Sequence, residues 1–242
     1  MINILIPLAG KNQFFSEAEY PYPKPLIEIN GKTMIEHILA NFESIQKEKQ
    51  FIFIVNNEDC KKYHLDNILN LLTDHTCKII KIDGETKGAA CSALMAIEHI
   101  NNDTPLVIAN ADQIIGEDIQ TKIGILEAYD AGVITFDSVH PKWSYARVDS
   151  DGNITETAEK RPISKNAIAG FYYFKKGKEF VASAMLMIKK DASVNGLYFI
   201  APALNEMILK NKALGIVQID NSNYHTFYSP NKIKDYERIT QC

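Results

Sequence analysis

INILIPLAG, residues 2–10, is a largely apolar run from Ile2 to Leu8 that stops at Ala9-Gly10. Such a run, ending in small residues, suits a strand buried on both faces. Downstream, Met34, Ile35, Ile38, Leu39, Phe42 and Ile45 recur at helical spacing, and FIFIV at 51–55 is a second buried strand. Ile68, Leu69, Leu71 and Leu72 suit a helix, and KIIKI at 78–82 a third strand. Residues 89–100 read as one helix, and PLVIA at 105–109 as a fourth strand. Strands alternating with helices of this length predict βαβ units in an α/β fold, Rossmann-like, with a mostly parallel mixed sheet flanked by helices.

Beyond about residue 137 the pattern changes. Tyr145–Val148, Asp151-Gly152 and Asn153–Thr155 predict a hairpin. Ala167–Phe174 is a further strand, helices are expected at 177–190 and 202–211, a strand at 214–219, and a closing helix from about Pro230. The expectation is a single domain of two lobes, one over about 1–137 and a strand-rich one over about 138–242 that forms the far wall of a ligand cleft.

Composition sets the outer bounds. The 242 residues carry 26 Lys plus Arg against 30 Asp plus Glu, a formal charge of −4, with 46% hydrophobic and 23% charged residues. These are proportions of a globular protein and exclude disordered, collagen-like and coiled-coil classes. The acidic balance argues against a nucleic-acid binder, but leaves room for a few lysines gathered in one cleft. Cys60, Cys77, Cys91 and Cys242 form no CxxC pair and read as reduced thiols, and the six histidines form no metal-type cluster. The N-terminus lacks a basic segment ahead of its short apolar run, and nowhere do about 18 apolar residues run together. A cytoplasmic protein without membrane contact is expected.

Four stretches can carry chemistry. The loop after the first strand leaves the edge where open α/β sheets bind ligands. Gly10 permits a tight turn there, and Lys24, held between Pro23 and Pro25, presents a rigidly placed ammonium suited to phosphate oxygens. A surface loop with a solvated lysine is the plain alternative. In Glu85–Leu94, Gly88 and the alanines allow close approach of a ligand, and Thr86 or Ser92 could cap the helix; a small-residue helix packed on the sheet is equally consistent. In Ile108–Gln113, Asp112 stands at a strand's carboxyl end, where it could hold a hard cation or merely cap a helix. In the fourth stretch, Trp143, Tyr145 and Arg147 could form an aromatic and cationic wall, or be ordinary hairpin residues.

Together these stretches are more specific. Ile6–Gly10, Phe15, Pro23–Lys32 and Met34–Glu36, then Glu85–Gly88, Asp112, Glu159-Lys160, Gly170–Phe174, Asn195–Pro202 and Asn205-Glu206 occur in an order that resembles the sugar-nucleotidyltransferase (nucleoside-diphosphate-sugar pyrophosphorylase) superfamily. The resemblance runs from residue 2 to about 210. It implies in-line attack of an acceptor phosphate on the α-phosphorus of a nucleoside triphosphate, with pyrophosphate leaving and no enzyme nucleophile. It further implies Lys24 and Lys160 as catalytic groups, Leu8, Ala9, Gly10, Lys11, Glu85, Lys87, Gly88 and Asn110 at the nucleotide, and Asp112 as ligand of Mg²⁺. Trp143, Tyr145, Arg147, Glu159, Gly170 and Asn195 fall on the acceptor side. Capsule-pathway relatives of this length include cytidylyltransferases, one of them acting on phosphorylated glutamine, so the resemblance ranks CTP first, with a sugar 1-phosphate or phosphoglutamine as acceptor.

The sequence departs from the family pattern at four places. Asn12 replaces a second loop glycine and Phe14 a loop arginine, whose charge Lys11 could supply. Leu197 replaces an acidic residue, and residues 224–230 lack the usual second metal carboxylate, for which Asp220 is a weak substitute. A nucleotide-sugar-dependent glycosyltransferase and a non-catalytic nucleotide-binding module remain as alternatives.

Overall fold

The computed structural model describes residues 1–10, 14–16 and 18–240. In chain order the strands are β1 (Ile2–Pro7), β2 (Glu28–Ile29), β3 (Lys32–Thr33), β4 (Lys49–Asn56), β5 (Lys78–Ile82), β6 (Leu106–Ala109), β7 (Gln113–Ile115), β8 (Ala131–Asp137), β9 (Ser144–Val148), β10 (Ile154–Glu159), β11 (Asn166–Phe174), β12 (Leu214–Gln218) and β13 (Tyr224–Thr226). The α-helices are α1 (Met34–Ala40), α2 (Asn57–Tyr63), α3 (Leu65–Leu72), α4 (Ala89–Leu94), α5 (Ile97–Ile100), α6 (Ile119–Leu126), α7 (Gly177–Lys189), α8 (Ile200–Ile208) and α9 (Pro230–Thr240).

Among the described residues a nine-stranded sheet runs β10-β9-β11-β6-β1-β4-β5, with β8 on the other edge of β11 and β12 beyond it. The pairs β6–β1, β1–β4, β4–β5 and β8–β12 are parallel, whereas β11 runs antiparallel to β6, β8 and β9. This is the mostly parallel mixed sheet that the alternating periods predict, and the antiparallel strands lie after residue 137 as expected.

Both faces of the sheet are covered. Ile4, Ile6, Phe53 and Val55 point into one apolar cluster with α1, α3, α6 and Ile233 of α9. Their chain neighbours Leu5, Ile52 and Ile54 point into the other, with α4, α5, α7 and α8. The period of two along a strand puts alternate residues on opposite faces, so continuous apolar runs were required at these strands. The closely spaced alanines Ala90, Ala93 and Ala96 are all fully buried.

Several boundaries differ from the expectation. The helix expected over 89–100 is two, α4 and α5, separated at Met95-Ala96. The helix expected from Met34 to Ile45 ends at Ala40, with turns completing the apolar spacing. β7 and β13, three residues each, are too short to show a period. β11 carries an irregularity between Ile168 and Tyr172, where four residues span what two span on β8. Gly170 sits in it at φ +56°.

Candidate active site: a strand-end cleft closed by Lys24 and Asp112

β1, β4 and β6 release the chain at one edge of the sheet, and the cleft opens there. Pro7, Leu8, Ala9 and Gly10 after β1, Glu85, Thr86 and Gly88 before α4, and Asn110, Ala111 and Asp112 after β6 line a cavity of about 440 Å³. Lys24 and Pro25 close one side, and Leu197 and Ile200 another.

Lys24 reaches this place because its segment is anchored. Pro23 and Pro25 are buried, Leu26 N–H donates to Pro23 O at 2.8 Å, and residues 24–26 form a single 3₁₀ turn. The Tyr63 hydroxyl at the end of α2 donates to Pro21 O at 2.7 Å. Lys24 Nζ lies 5.7 Å from the Phe15 ring centroid and donates to Asp112 Oδ2 at 2.5 Å, the two side chains retaining 21% and 25% of their exposure. The ion pair is therefore reachable from the cleft while shielded on most sides. Asp112 is held by its backbone as well, its carbonyl accepting from Phe227 N–H at 2.7 Å.

Behind Asp112 lies a polar network that sequence reasoning missed. Gln113, 2% exposed, donates from Nε2 to Gly170 O at 3.1 Å and accepts at Oε1 from the Tyr224 hydroxyl at 3.1 Å. Asn110 N–H donates to the same Gly170 carbonyl at 2.9 Å, and Asn41 Nδ2 donates to Gln113 O at 3.0 Å. A Cβ at residue 170 would stand 2.3 Å from Asn110 Nδ2 and 2.5 Å from Gln113 Oε1, so only glycine fits. The sole signal in the sequence was a glutamine beside the aspartate, which by itself indicates nothing.

The rim of the cleft is stitched across the two halves of the chain. Tyr198 N–H donates to Lys87 O at 2.8 Å, and Ala90 N–H donates to Tyr198 O at 3.0 Å. Gly88, at φ +105°, would place a Cβ 2.4 Å from Tyr198 O. Lys87 itself is exposed and outside the lining, and Asn195 is an exposed turn residue at φ +53° that helps deliver Leu197 to the cleft. Thr86 and Ser92 do not cap α4; their hydroxyls bond each other at 2.6 Å.

The acceptor-side residues divide. Glu159 ends β10 half-buried, accepts from the Ser144 hydroxyl, and has its carboxyl pKa pushed up, chiefly by burial. The Lys160 ammonium lies 4.9 Å from the centroid of Phe199, next to the cleft residue Ile200. Tyr145, expected in a ligand wall, is instead fully buried, and its hydroxyl donates to His140 O at 2.6 Å. Its ring serves the core because position 145 faces inward on β9. Arg147 is exposed and paired with Glu156, which also takes Arg161, so it contributes to the strand surface and not to the cleft lining. Trp143 lines a different cavity. Asn205 brackets Thr157 of β10, and Glu206 pairs with Lys190, so both hold α8 in place. Lys11 lies outside the described residues, as does Asn12.

Residues 9–154 match the MobA-like NTP transferase domain. The chain belongs to that family. The matched span contains the whole Lys24–Asp112 cleft except Pro7, Leu8, Leu197 and Ile200. As an NTP transferase domain it is 25% identical over 218 residues to the bifunctional protein GlmU of Methanocaldococcus jannaschii, and 25% identical over 193 residues to that of Buchnera aphidicola. These alignments cover 89% and 78% of the chain but 49% and 38% of the relatives, so the chain spans half or less of their length. Its fold matches a nucleoside-diphosphate-sugar pyrophosphorylase from Vibrio cholerae with a TM-score of 0.87, at 24% identity, over 97% of this chain and 99% of that one. A UDP-glucose pyrophosphorylase complexed with UDP-glucose matches at 0.78 and 18% identity, over 100% of this chain and 99% of that one.

A divalent cation is the group this family implies. Among the described residues no three His, Cys, Asp or Glu side chains gather into a metal cage. Asp220, the weak substitute for a second carboxylate, accepts from Ser222 and lies outside the cleft lining. The cleft lining holds two carboxylates, Asp112 and Glu85, which suits Mg²⁺, an ion that typically takes one or two protein carboxylates and completes its shell with phosphate oxygens and water. No described helix is long and apolar enough to cross a membrane.

Proposed function

We propose that the chain transfers a nucleoside monophosphate from a nucleoside triphosphate to a phosphorylated small molecule, releasing pyrophosphate. The observation that carries this reading is the Lys24–Asp112 pair at the strand-end cleft, one rigid cation and one carboxylate presented together to a solvent-accessible space. Both reactants are anionic, so catalysis is a matter of positioning them and neutralising charge.

In this reading Leu8, Ala9 and Gly10 bring backbone against the nucleotide, and Glu85, Gly88 and Asn110 line the remainder of its seat. Lys24 places its ammonium on the oxygens of the α-phosphate as charge develops there. Asp112 would hold Mg²⁺, which when bound supplies further charge neutralisation on the phosphate oxygens. Lys160 orients the acceptor phosphate, Glu159 and Asn195 belong to the acceptor side, and Gly170 fixes Asn110 and Gln113 behind it. No side chain is asked to act as a nucleophile.

CTP is proposed as the first nucleotide and a sugar 1-phosphate or phosphoglutamine as the acceptor, on the resemblance to capsule-pathway cytidylyltransferases. Leu197, a leucine 39% exposed at the rim, favours an acceptor with an apolar or hydroxyl-poor face there. The decisive experiment pairs each of the four NTPs with a panel of phosphorylated acceptors and reads pyrophosphate. Release with one pair supports the proposal, and CTP is then confirmed or replaced by the base that works. Release with no pair, alongside nucleotide binding by calorimetry, would make the chain a binding module.

A further inference from the structure

A second cavity, of about 270 Å³, lies beside β13, and the nucleotidyl-transfer reading makes no use of it. Its walls are aromatic: Phe136 and Trp143 meet edge to face at 5.3 Å, Phe136 and Tyr224 lie 4.4 Å apart, and His225 faces Tyr236 at 4.9 Å. Lys142 also lines it, with its ammonium 4.3 Å from the centroid of the Trp143 ring and 3.9 Å from that of Tyr228. Lys142 has no carboxylate partner among the described residues. Nor do the Trp143 indole N–H, the His225 imidazole or the Tyr236 hydroxyl make a hydrogen bond to another described residue. These four donors surround one concave aromatic space, and the carboxylate of its lining, Asp235, is already paired with Lys232 at 3.1 Å, so the space offers donors to an acceptor-rich ligand.

We propose that this cavity is a second ligand site, for a small aromatic anion: one planar ring bearing a phosphate or a carboxylate. The ring stacks among the aromatic walls, and the anionic group meets Lys142 and the unspent donors. The volume lies just below the roughly 300–1,000 Å³ of drug-sized sites, which suits one ring and one acidic group. The site also adjoins the catalytic cleft through bonded structure. Tyr224 lines the cavity with its ring and donates its hydroxyl to Gln113, while Phe227, just beyond β13, donates its N–H to the carbonyl of Asp112. A ligand here therefore bears on the strand that positions Asp112.

Trp143 is the sole tryptophan of the chain, so its fluorescence reads occupancy directly. Phenyl phosphate and benzoate, titrated separately, distinguish the two anionic groups, with cyclohexyl phosphate and inorganic phosphate as non-aromatic controls. At least one aromatic anion should give a saturable change at ten-fold or more lower concentration than either control. Lys142→Gln should weaken that binding at least ten-fold, whereas Lys24→Gln should leave it unchanged and saturating NTP should not displace the probe. His225→Gln gives a second reading if the Lys142 variant fails to fold, and is expected to weaken binding several-fold. Absence of a saturable change, equal binding of inorganic phosphate, or displacement by NTP would overturn the proposal.

Discussion

Lys24 and Asp112 stand 88 positions apart and meet at 2.5 Å. A cation in a rigid segment needs little reorganisation when charge develops beside it, and losing one such donor typically costs about 10²–10³ in turnover. Lys24→Gln is expected to lower kcat by at least about 100-fold while leaving the thermal midpoint nearly unchanged, as pyrophosphate release and a melting curve would show. Near-normal turnover would remove Lys24 from the mechanism. Glu159 gives a pH test. Burial raises its carboxyl pKa, so the folded state takes up a proton more readily than the unfolded chain. Its ionisation therefore costs stability as pH rises from the ordinary carboxylate range through the raised value. Relative to Glu159→Gln, the native protein should lose melting temperature as pH rises out of the ordinary carboxylate range, above about pH 4, and parallel curves would contradict this. At this scale much of the site was legible. Pro-Lys-Pro announced a fixed cation, and an aspartate after a strand announced a carboxylate at the sheet edge. Tyr145 and Arg147 were not legible, because one residue of register decides whether a strand side chain faces ligand, core or solvent.

Elements bring these residues together through close approaches that a larger side chain would block. Gly88, with φ at +105° and Tyr198 O 2.4 Å from where its Cβ would be, lets the start of α4 bond the turn that carries Leu197. Gly88→Ala is expected to destabilise the protein by about 1–3 kcal/mol and to raise KM for the nucleotide, measured by urea denaturation and initial rates. The start of α1 is more ordinary. Glu36 Oε2 accepts from Thr33 N–H at 2.7 Å and from its hydroxyl at 2.6 Å, which holds the Glu36 carboxyl below its usual pKa. Thr33→Ala should cost about 1 kcal/mol with kcat unchanged. Long elements such as β1, β4 and α7 could be read from their periods. β7 and β13 could not, since three residues carry no period, and they are the strands that fix Asp112 from behind.

Across the whole molecule, a formal charge of −4 coexists with a cleft built around Lys24, so net charge excludes long anions better than small ones. The sheet passes without interruption from β5 to β10 and joins both halves of the chain. A nucleotide bound in the cleft should stabilise both halves together, by about 2.7 kcal/mol at 100 times its Kd, in one melting transition. Two separated transitions would show that the halves fold independently. The Gly170 irregularity in β11 has a further consequence for how the protein opens. Between Ile168 and Tyr172 the ladder is interrupted, and the carbonyl exposed there takes its donors from Asn110 and Gln113. The loop that presents Asp112 thus begins by extending the β6–β11 ladder one bond beyond Ala109. Its Asn110 amide should exchange with deuterated solvent as slowly as those of the innermost strands, so the site should vanish only when the protein unfolds as a whole.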